Sequence, residues 1–269
     1  MRKIIGLAAK ARSGKDTVAS MLMKQESVSA YALADPLKIA CQALFGLTDK
    51  ETWDDEIKER KIPLWGRSPR EFFQLVGTDW LRNLNPEHWL LRADQVLNHG
   101  AEGSDLASDA DLADSSAHFY LAAQAVFGLS HPEAWDLRNQ DLPIGFWEMT
   151  PNEMTSFLKK KARSSFKDYD ELRSQRPVNN PTRTLPRCNS DVVIIKDIRF
   201  ENEAAFLRER KGVIWHIVRD KKNEVNSHSS EAGIQVQPSD VTIDNNGTLQ
   251  DLQAVVDFNW RSFSDLRYF

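Results

Sequence analysis

The 269-residue chain has only two cysteines, Cys41 and Cys188. One pair could bridge, but two lone thiols in a reducing compartment fit a chain of this size better, and a disulfide scaffold is excluded. The six histidines show no tight pairing and the cysteines are distant, so the spacing of a zinc site is absent. No apolar run approaches the roughly 20 residues of a membrane helix. Positive charge is not in excess either: 35 Lys and Arg against 39 Asp and Glu leave a net charge of −4. Neither nucleic acid nor a membrane is an expected partner. The first residues read as a strand, not as a signal peptide, so the expected location is the cytoplasm (a host cytoplasm if the chain is phage-encoded). What remains is an ordinary soluble balance, 41 % apolar and 28 % charged, enough for a large core with insertions.

The first twenty residues organise the rest. Ile4 to Ala8 is an apolar run of strand length, and Ala9-Lys10-Ala11-Arg12-Ser13-Gly14-Lys15-Asp16-Thr17 leads into a helical stretch from Val18. Strand, small-residue loop, Gly-Lys and helix is the layout of a phosphate-binding loop. The unpaired N–H groups and positive dipole end of the helix favour phosphate oxygens, and Lys15 adds a point charge. The usual G-x-x-x-x-G-K-[ST] is incomplete: Ala9 replaces the first glycine and Asp16 the hydroxyl residue, which comes later as Thr17. A Ser-Gly turn before a surface helix would also fit.

Val28 to Ala34 reads as a second strand ending at Asp35-Pro36, with a helix over 37–45. Asp35 therefore stands at a strand end, where open α/β sheets bind ligands, or acts as a helix cap. Ser68-Pro69-Arg70-Glu71 combines a capping box with proline at the first helical position. Arg70, Gln74 and Gly77 fall on one face of that helix, which suits an anion, a base edge and a close ligand approach, or a plain polar face. Residues 98–117 are small and acidic and read as a flexible linker or a long surface loop.

Residues 40–75 align with 122–157 without a gap, at 13 identities in 36 positions, including Trp53 with Trp135 and Trp65 with Trp147. The proposed ligand face is not repeated: Arg70 becomes Asn152, Gln74 becomes Ser156, Gly77 becomes Lys159 and Lys58 becomes Gln140. A first copy that binds and a second kept for packing or regulation is the expectation. Residues 158–190 are basic, with Arg173, Arg176, Arg183 and Arg187, and interrupted by prolines, so a mobile arginine-bearing lid and a solvated loop are both open. Asp191 to Asp197 is a buried-strand run ending in an acid, the position from which a carboxylate can hold Mg²⁺ directly or through water. Strands alternating with helices as far as Val241–Asn245, with a closing helix from Leu249, argue for a parallel sheet.

Taken in order, Ser13-Gly14-Lys15-Asp16-Thr17, Leu33-Ala34-Asp35-Pro36-Leu37-Lys38, Pro69-Arg70-Glu71 with Gln74 and Gly77-Thr78-Asp79, Asp197-Ile198-Arg199, His228 with Ser230-Glu231, and Asn245-Asn246-Gly247-Thr248-Leu249 resemble the phage-type deoxynucleoside monophosphate kinases, within the P-loop nucleoside monophosphate kinase-like group. The resemblance covers about 1–97 and 188–258. It implies an α/β P-loop three-layer sandwich with a mainly parallel sheet. The kinase core would be 1–97 with 188–269, its monophosphate-binding helices at about 37–97, and 98–187 a largely helical insertion carrying the degenerate repeat.

It further implies transfer of the ATP γ-phosphoryl group to a deoxynucleoside monophosphate, with Mg²⁺, and leaves room for a homodimer. Lys15, Asp35 and Arg199 would be catalytic. Arg12, Ser13, Gly14, Lys15, Asp16, Thr17, Arg219, His228 and Glu231 would hold ATP. Asp35, Lys38, Arg70, Gln74, Thr78, Asp79, Arg82 and Trp89 would hold the acceptor, and Asp16, Thr17 and Asp197 the metal. A kinase for another small acceptor such as dephospho-coenzyme A, and a silent nucleotide-binding protein, are the alternatives; the Arg70 helix favours a nucleotide.

Overall fold

A computed structural model describes residues 2–10, 12–99, 106–183, 190–219 and 234–265. Its elements run β1 (Lys3–Ala9), α1 (Lys15–Leu22), β2 (Val28–Ala32), α2 (Asp35–Phe45), α3 (Asp49–Trp53), a 3₁₀ turn, α4 (Pro69–Gln74), a π-helix (Leu75–Arg82), α5 (His88–His99), α6 (Asp109–Leu112), α7 (Ala117–Phe127), α8 (His131–Trp135), α9 (Pro151–Ser165), α10 (Tyr169–Ser174), β3 (Val192–Ile198), α11 (Glu201–Glu209), β4 (Val213–Val218), β5 (Val241–Asp244) and α12 (Leu249–Asp265). They form two compact units, Met1–Leu33 with Cys188–Phe269, and Ala34–Arg187.

The first unit is a five-stranded sheet in the order β2-β3-β1-β4-β5, with every pairing parallel. β1 and β3 are apolar almost throughout because both of their faces are covered. Ile5, Leu7, Ile194 and Trp215 pack with residues of α1 and α12. Gly6, on the other face, meets α11: a Cβ there would lie 2.7 Å from the side chains of Leu207 and Ile214. Helices thus cover both faces, the three layers that the alternating pattern predicts. β3 pairs with β1 up to Ala8 and Ile198, so the carboxyl end of β3 lies beside the strand that feeds the Gly14-Lys15 loop.

The second unit is helical, with α2 packed on α7 around Phe45, Phe72, Phe119, Phe127 and Tyr169. The sequence repeat is a repeat of structure. α2 and α7 both end on a left-handed glycine, Gly46 (φ 63°) and Gly128 (φ 71°). Capping boxes at Thr48 and Ser130 start α3 and α8, and those at Ser68 and Thr150 start α4 and α9. Trp65 Nε1 donates to the Phe45 carbonyl and Trp147 Nε1 to that of Phe127.

The repeat also extends beyond the aligned residues, with one residue fewer between copies. His88 and Arg92 of α5 bond the carbonyls of Val126 and Ala125 at the end of α7. Tyr169 and Arg173 of α10 bond those of Leu44 and Ala43 at the end of α2. The closing helix of each copy therefore satisfies the orphan carbonyls of the other copy's first helix. This overturns both readings of the basic stretch for two of its arginines: Arg173 is 3 % exposed and caps α2, and Arg176 is ion-paired with Glu51. The first part of that stretch is helix and not irregular chain, since α9 continues to Ser165 and α10 follows.

Candidate active site

In the first unit the loop after β1 turns through two left-handed residues, Arg12 (φ 63°) and Gly14 (φ 95°). Gly14 is the N-cap of α1, and no side chain caps that helix, so its leading N–H groups are left for an anion. Asn245, at the end of β5, donates its side-chain amide to the Ser13 carbonyl at 2.8 Å. A Cβ on Gly14 would lie 2.2 Å from that amide nitrogen, so glycine is required by both backbone and space. Ser13 is buried, while Asp16 and Thr17 are exposed on the first turn of α1.

Asp197 lies near the end of β3 in a left-handed conformation (φ 67°). One carboxylate oxygen is ion-paired with Lys15, and the other takes Arg199 Nε at 2.9 Å and Nη2 at 2.5 Å. Burial raises its carboxyl pKa, but Arg199 and Lys15 outweigh that and hold it below the usual carboxylate range. Both of its oxygens are thus engaged by cations. Asp16 and Thr17 supply a carboxylate and a hydroxyl, oxygen donors of the kind that Mg²⁺ takes alongside water and phosphate. Among the described residues no three His, Cys, Asp or Glu side chains cluster as a metal site. Arg219 is exposed one residue past β4; His228 and Glu231 lie outside the described residues.

In the second unit Asp35 is the first residue of α2, one past the N-cap Ala34, so it adds negative charge to the first turn and is not the N-cap residue itself. Lys38 Nζ sits 4.6 Å from the centre of the Trp53 ring. Arg70 Nε donates to Glu59 at 2.5 Å, both side chains half exposed. Gln74, Thr78 and Asp79 are exposed and Arg82 is half-buried. From Leu75 the helix widens to π winding, which shifts everything beyond Gln74 off the face that α spacing predicts. Gly77 is bare for packing and not for a ligand: a Cβ would meet Leu37 at 2.7 Å. Trp89 is 6 % exposed and its Nε1 is spent on the Gly77 carbonyl, so it belongs to the core.

With this geometry, comparison with known proteins is decisive. The family model for deoxynucleotide monophosphate kinase matches residues 3–62 and 182–256. The chain belongs to the deoxynucleotide monophosphate kinase family. It is 25 % identical over 256 residues to a putative deoxynucleotide monophosphate kinase of Acanthamoeba polyphaga mimivirus, covering 94 % of this chain and 93 % of that protein. It is 24 % identical over 260 residues to the deoxynucleotide monophosphate kinase of Enterobacteria phage T4, covering 93 % and 95 %. Membership places the chain among phosphotransferases. The matched stretches hold the loop between β1 and α1, Asp35, Lys38, Asp197, Arg199 and Asn245. They leave out Arg70, Gln74, Thr78, Asp79, Arg82, Trp89 and the second repeat copy, so the match ends earlier than the resemblance extended.

The sequence places Asn245 in a motif without marking its contact to Ser13; its position just past β5 is the signal that points to it. No helix among the described residues is long and apolar enough to cross a membrane.

Proposed function

We propose that the chain transfers the γ-phosphoryl group of ATP to a deoxynucleoside 5′-monophosphate, giving the diphosphate for DNA precursor synthesis in the cytoplasm. The first unit holds ATP and the second holds the acceptor. The observation that carries this reading is the Lys15–Asp197–Arg199 chain at the uncapped start of α1. Phosphoryl transfer asks for positioning and charge neutralisation more than for covalent chemistry.

The leading N–H groups of α1 and Lys15 take the outer phosphates. Asp197 keeps Lys15 aimed until phosphate competes for it, and Arg199 draws charge from the transferring group. Asp16, Thr17 and Asp197 are the residues that would hold Mg²⁺, which would supply further charge neutralisation. Asp35 orients the acceptor, and Lys38 and Arg70 bind its anionic end.

The test is incubation of the full chain with ATP, Mg²⁺ and each of the four deoxynucleoside monophosphates, read as ADP formed. Turnover with at least one acceptor is expected. ATP binding without turnover of any of them would overturn the reading.

A further inference from the structure

β3 carries one residue more than its neighbour. Gly6 pairs with Ile195 and Ala8 with Ile198, so Leu7 of β1 stands opposite both Lys196 and Asp197. The extra residue is a β-bulge. Ile195 and Ile198 both keep to the face that α11 covers: a Cβ on Gly6, opposite Ile195, would lie 2.7 Å from Leu207 of α11 and 3.3 Å from Ile198. Unbroken alternation would put Asp197 on the face of Ile195. The bulge, with Asp197 at φ 67°, turns it away, and its carboxylate meets Lys15 at the start of α1. A left-handed aspartate within a strand persists only where its surroundings fix it.

Glu203 supplies the fixing. Its Oε2 accepts the backbone N–H of Arg199 at 2.9 Å and that of Phe200 at 3.2 Å. Glu203 is 4 % exposed, a costly place for a carboxylate. A cap for α11 would need the Phe200 N–H alone, because Phe200 is the N-cap. The shorter bond goes outside the helix, to the residue whose guanidinium grips Asp197. α11 is itself a firm support. Leu207 is packed on Gly6, and Arg208 is tied to Asp240, whose carboxylate is buried and also meets His216 Nε2 at 3.1 Å.

We propose that Glu203 is a positioning residue: it holds the chain just past the bulge, so that one carboxylate, Asp197, meets Lys15 and Arg199 together. That this arrangement serves phosphoryl transfer rests on the kinase reading; the holding itself does not. Glu203 touches neither substrate and acts through Arg199 and Asp197.

The test compares two variants of the full chain. Glu203→Met removes the acceptor but fills its space, and Glu203→Gln keeps one acceptor oxygen, which is all that the two N–H groups use. Glu203→Met should lower kcat about tenfold or more, with both KM values within about twofold, and Glu203→Gln should recover most of kcat. Added to Arg199→Ala, Glu203→Met should lower kcat by less than about twofold more, whereas a residue that serves stability alone would bring the same loss on either background. Hydrogen exchange by ¹H–¹⁵N NMR reads the holding without turnover. In the parent the backbone N–H of Arg199 and its Nε–H, the latter assigned through Arg199→Lys, should exchange more slowly than those of exposed arginines. In Glu203→Met the Nε–H should exchange about tenfold faster or more. Fast exchange of either group in the parent overturns the proposal whether or not Glu203→Met folds. Full kcat in Glu203→Met, or equal losses on both backgrounds, overturns it as well. A parent that turns over no acceptor but keeps both groups protected overturns the kinase reading and upholds the holding.

Discussion

The side-chain amide of Asn245 donates to the Ser13 carbonyl at 2.8 Å, across 232 residues of sequence, and fills the space where a side chain on Gly14 would sit. The loop between β1 and α1 is therefore held from outside as well as by its own strand and helix. Asn245→Ala leaves the carbonyl of a buried residue unpaired, which costs roughly 1–3 kcal/mol. KM for ATP should rise about tenfold while KM for the acceptor stays within about twofold. Gly14→Ala should abolish ATP binding, and adding Asn245→Ala should not restore it, because the left-handed backbone remains strained once the collision is gone. Isothermal titration with ATP checks both.

Asp16 stands one residue after Lys15 on the first turn of α1, where, on the proposed reading, a bare carboxylate would repel the phosphate. Asp16→Ala is expected to raise the Mg²⁺ concentration needed for half-maximal activity about tenfold, with nucleotide binding changed much less. Superimposable Mg²⁺ titrations for variant and parent would remove Asp16 from the metal site.

The Arg70–Glu59 contact has a neutral echo in Asn152–Asp141 of the second copy. Arg70→Ala should lower kcat/KM for the acceptor about a hundredfold, the loss of a charge-assisted phosphate contact. Asn152→Ala should change it less than twofold. Steady-state kinetics with the preferred monophosphate decide, and equal losses would mean that the second copy also binds.

His88 is fully buried, and burial with Arg92 nearby lowers its pKa to about 4; His118, buried beside Arg173, falls to about 3. The folded pKa lies below the unfolded value of about 6.5, so unfolding takes up protons. The stability that each contributes is complete above about pH 6.5 and is lost as pH falls toward the folded value, at up to about 1.4 kcal/mol per pH unit. Urea midpoints should drop between pH 7.5 and pH 5, and His88→Phe should show about half that drop.

Gly46 and Gly66 are both left-handed, at φ 63° and 64°, but only Gly46 is crowded, with a Cβ landing 2.6 Å from Arg176 Cβ. Gly66→Ala should cost about 1–2 kcal/mol for its backbone alone. Gly46→Ala should cost clearly more, because the arginine that it displaces is tied to Glu51. At the position equivalent to Gly66 the second copy carries Glu148 with φ 53°, so a side chain is sterically accepted there. Denaturant midpoints of the two variants make the comparison.

How much of this was readable beforehand follows from where each signal lies. β1 and β3 are largely continuous apolar runs between helical stretches, and their boundaries fall within a residue or two of the expectation. The loop and Asp197 were legible because strand ends and a Gly-Lys before a helix are local patterns. Arg173 was not: a charge pattern does not tell a buried arginine on three carbonyls from a solvated one. The extension of the repeat to α5 and α10 was hidden by one missing residue and by the exchange of His88 for Tyr169, which do the same job with different chemistry. The π winding after Gln74 leaves no mark on local propensity, and the glycine within it answers to Leu37, which no reading of that helix alone could name.

The strand order has a consequence for how the chain comes into being. β1 and β2 are not neighbours; each pairs with β3, which begins only at Val192. On a ribosome the N-terminal strand and its loop therefore emerge without partners and wait while more than half of the chain is made. The loop's last support, Asn245, comes later still. The first unit thus closes only late in synthesis, and a chain interrupted before Asn245 would carry the loop after β1 without the amide that holds it in place.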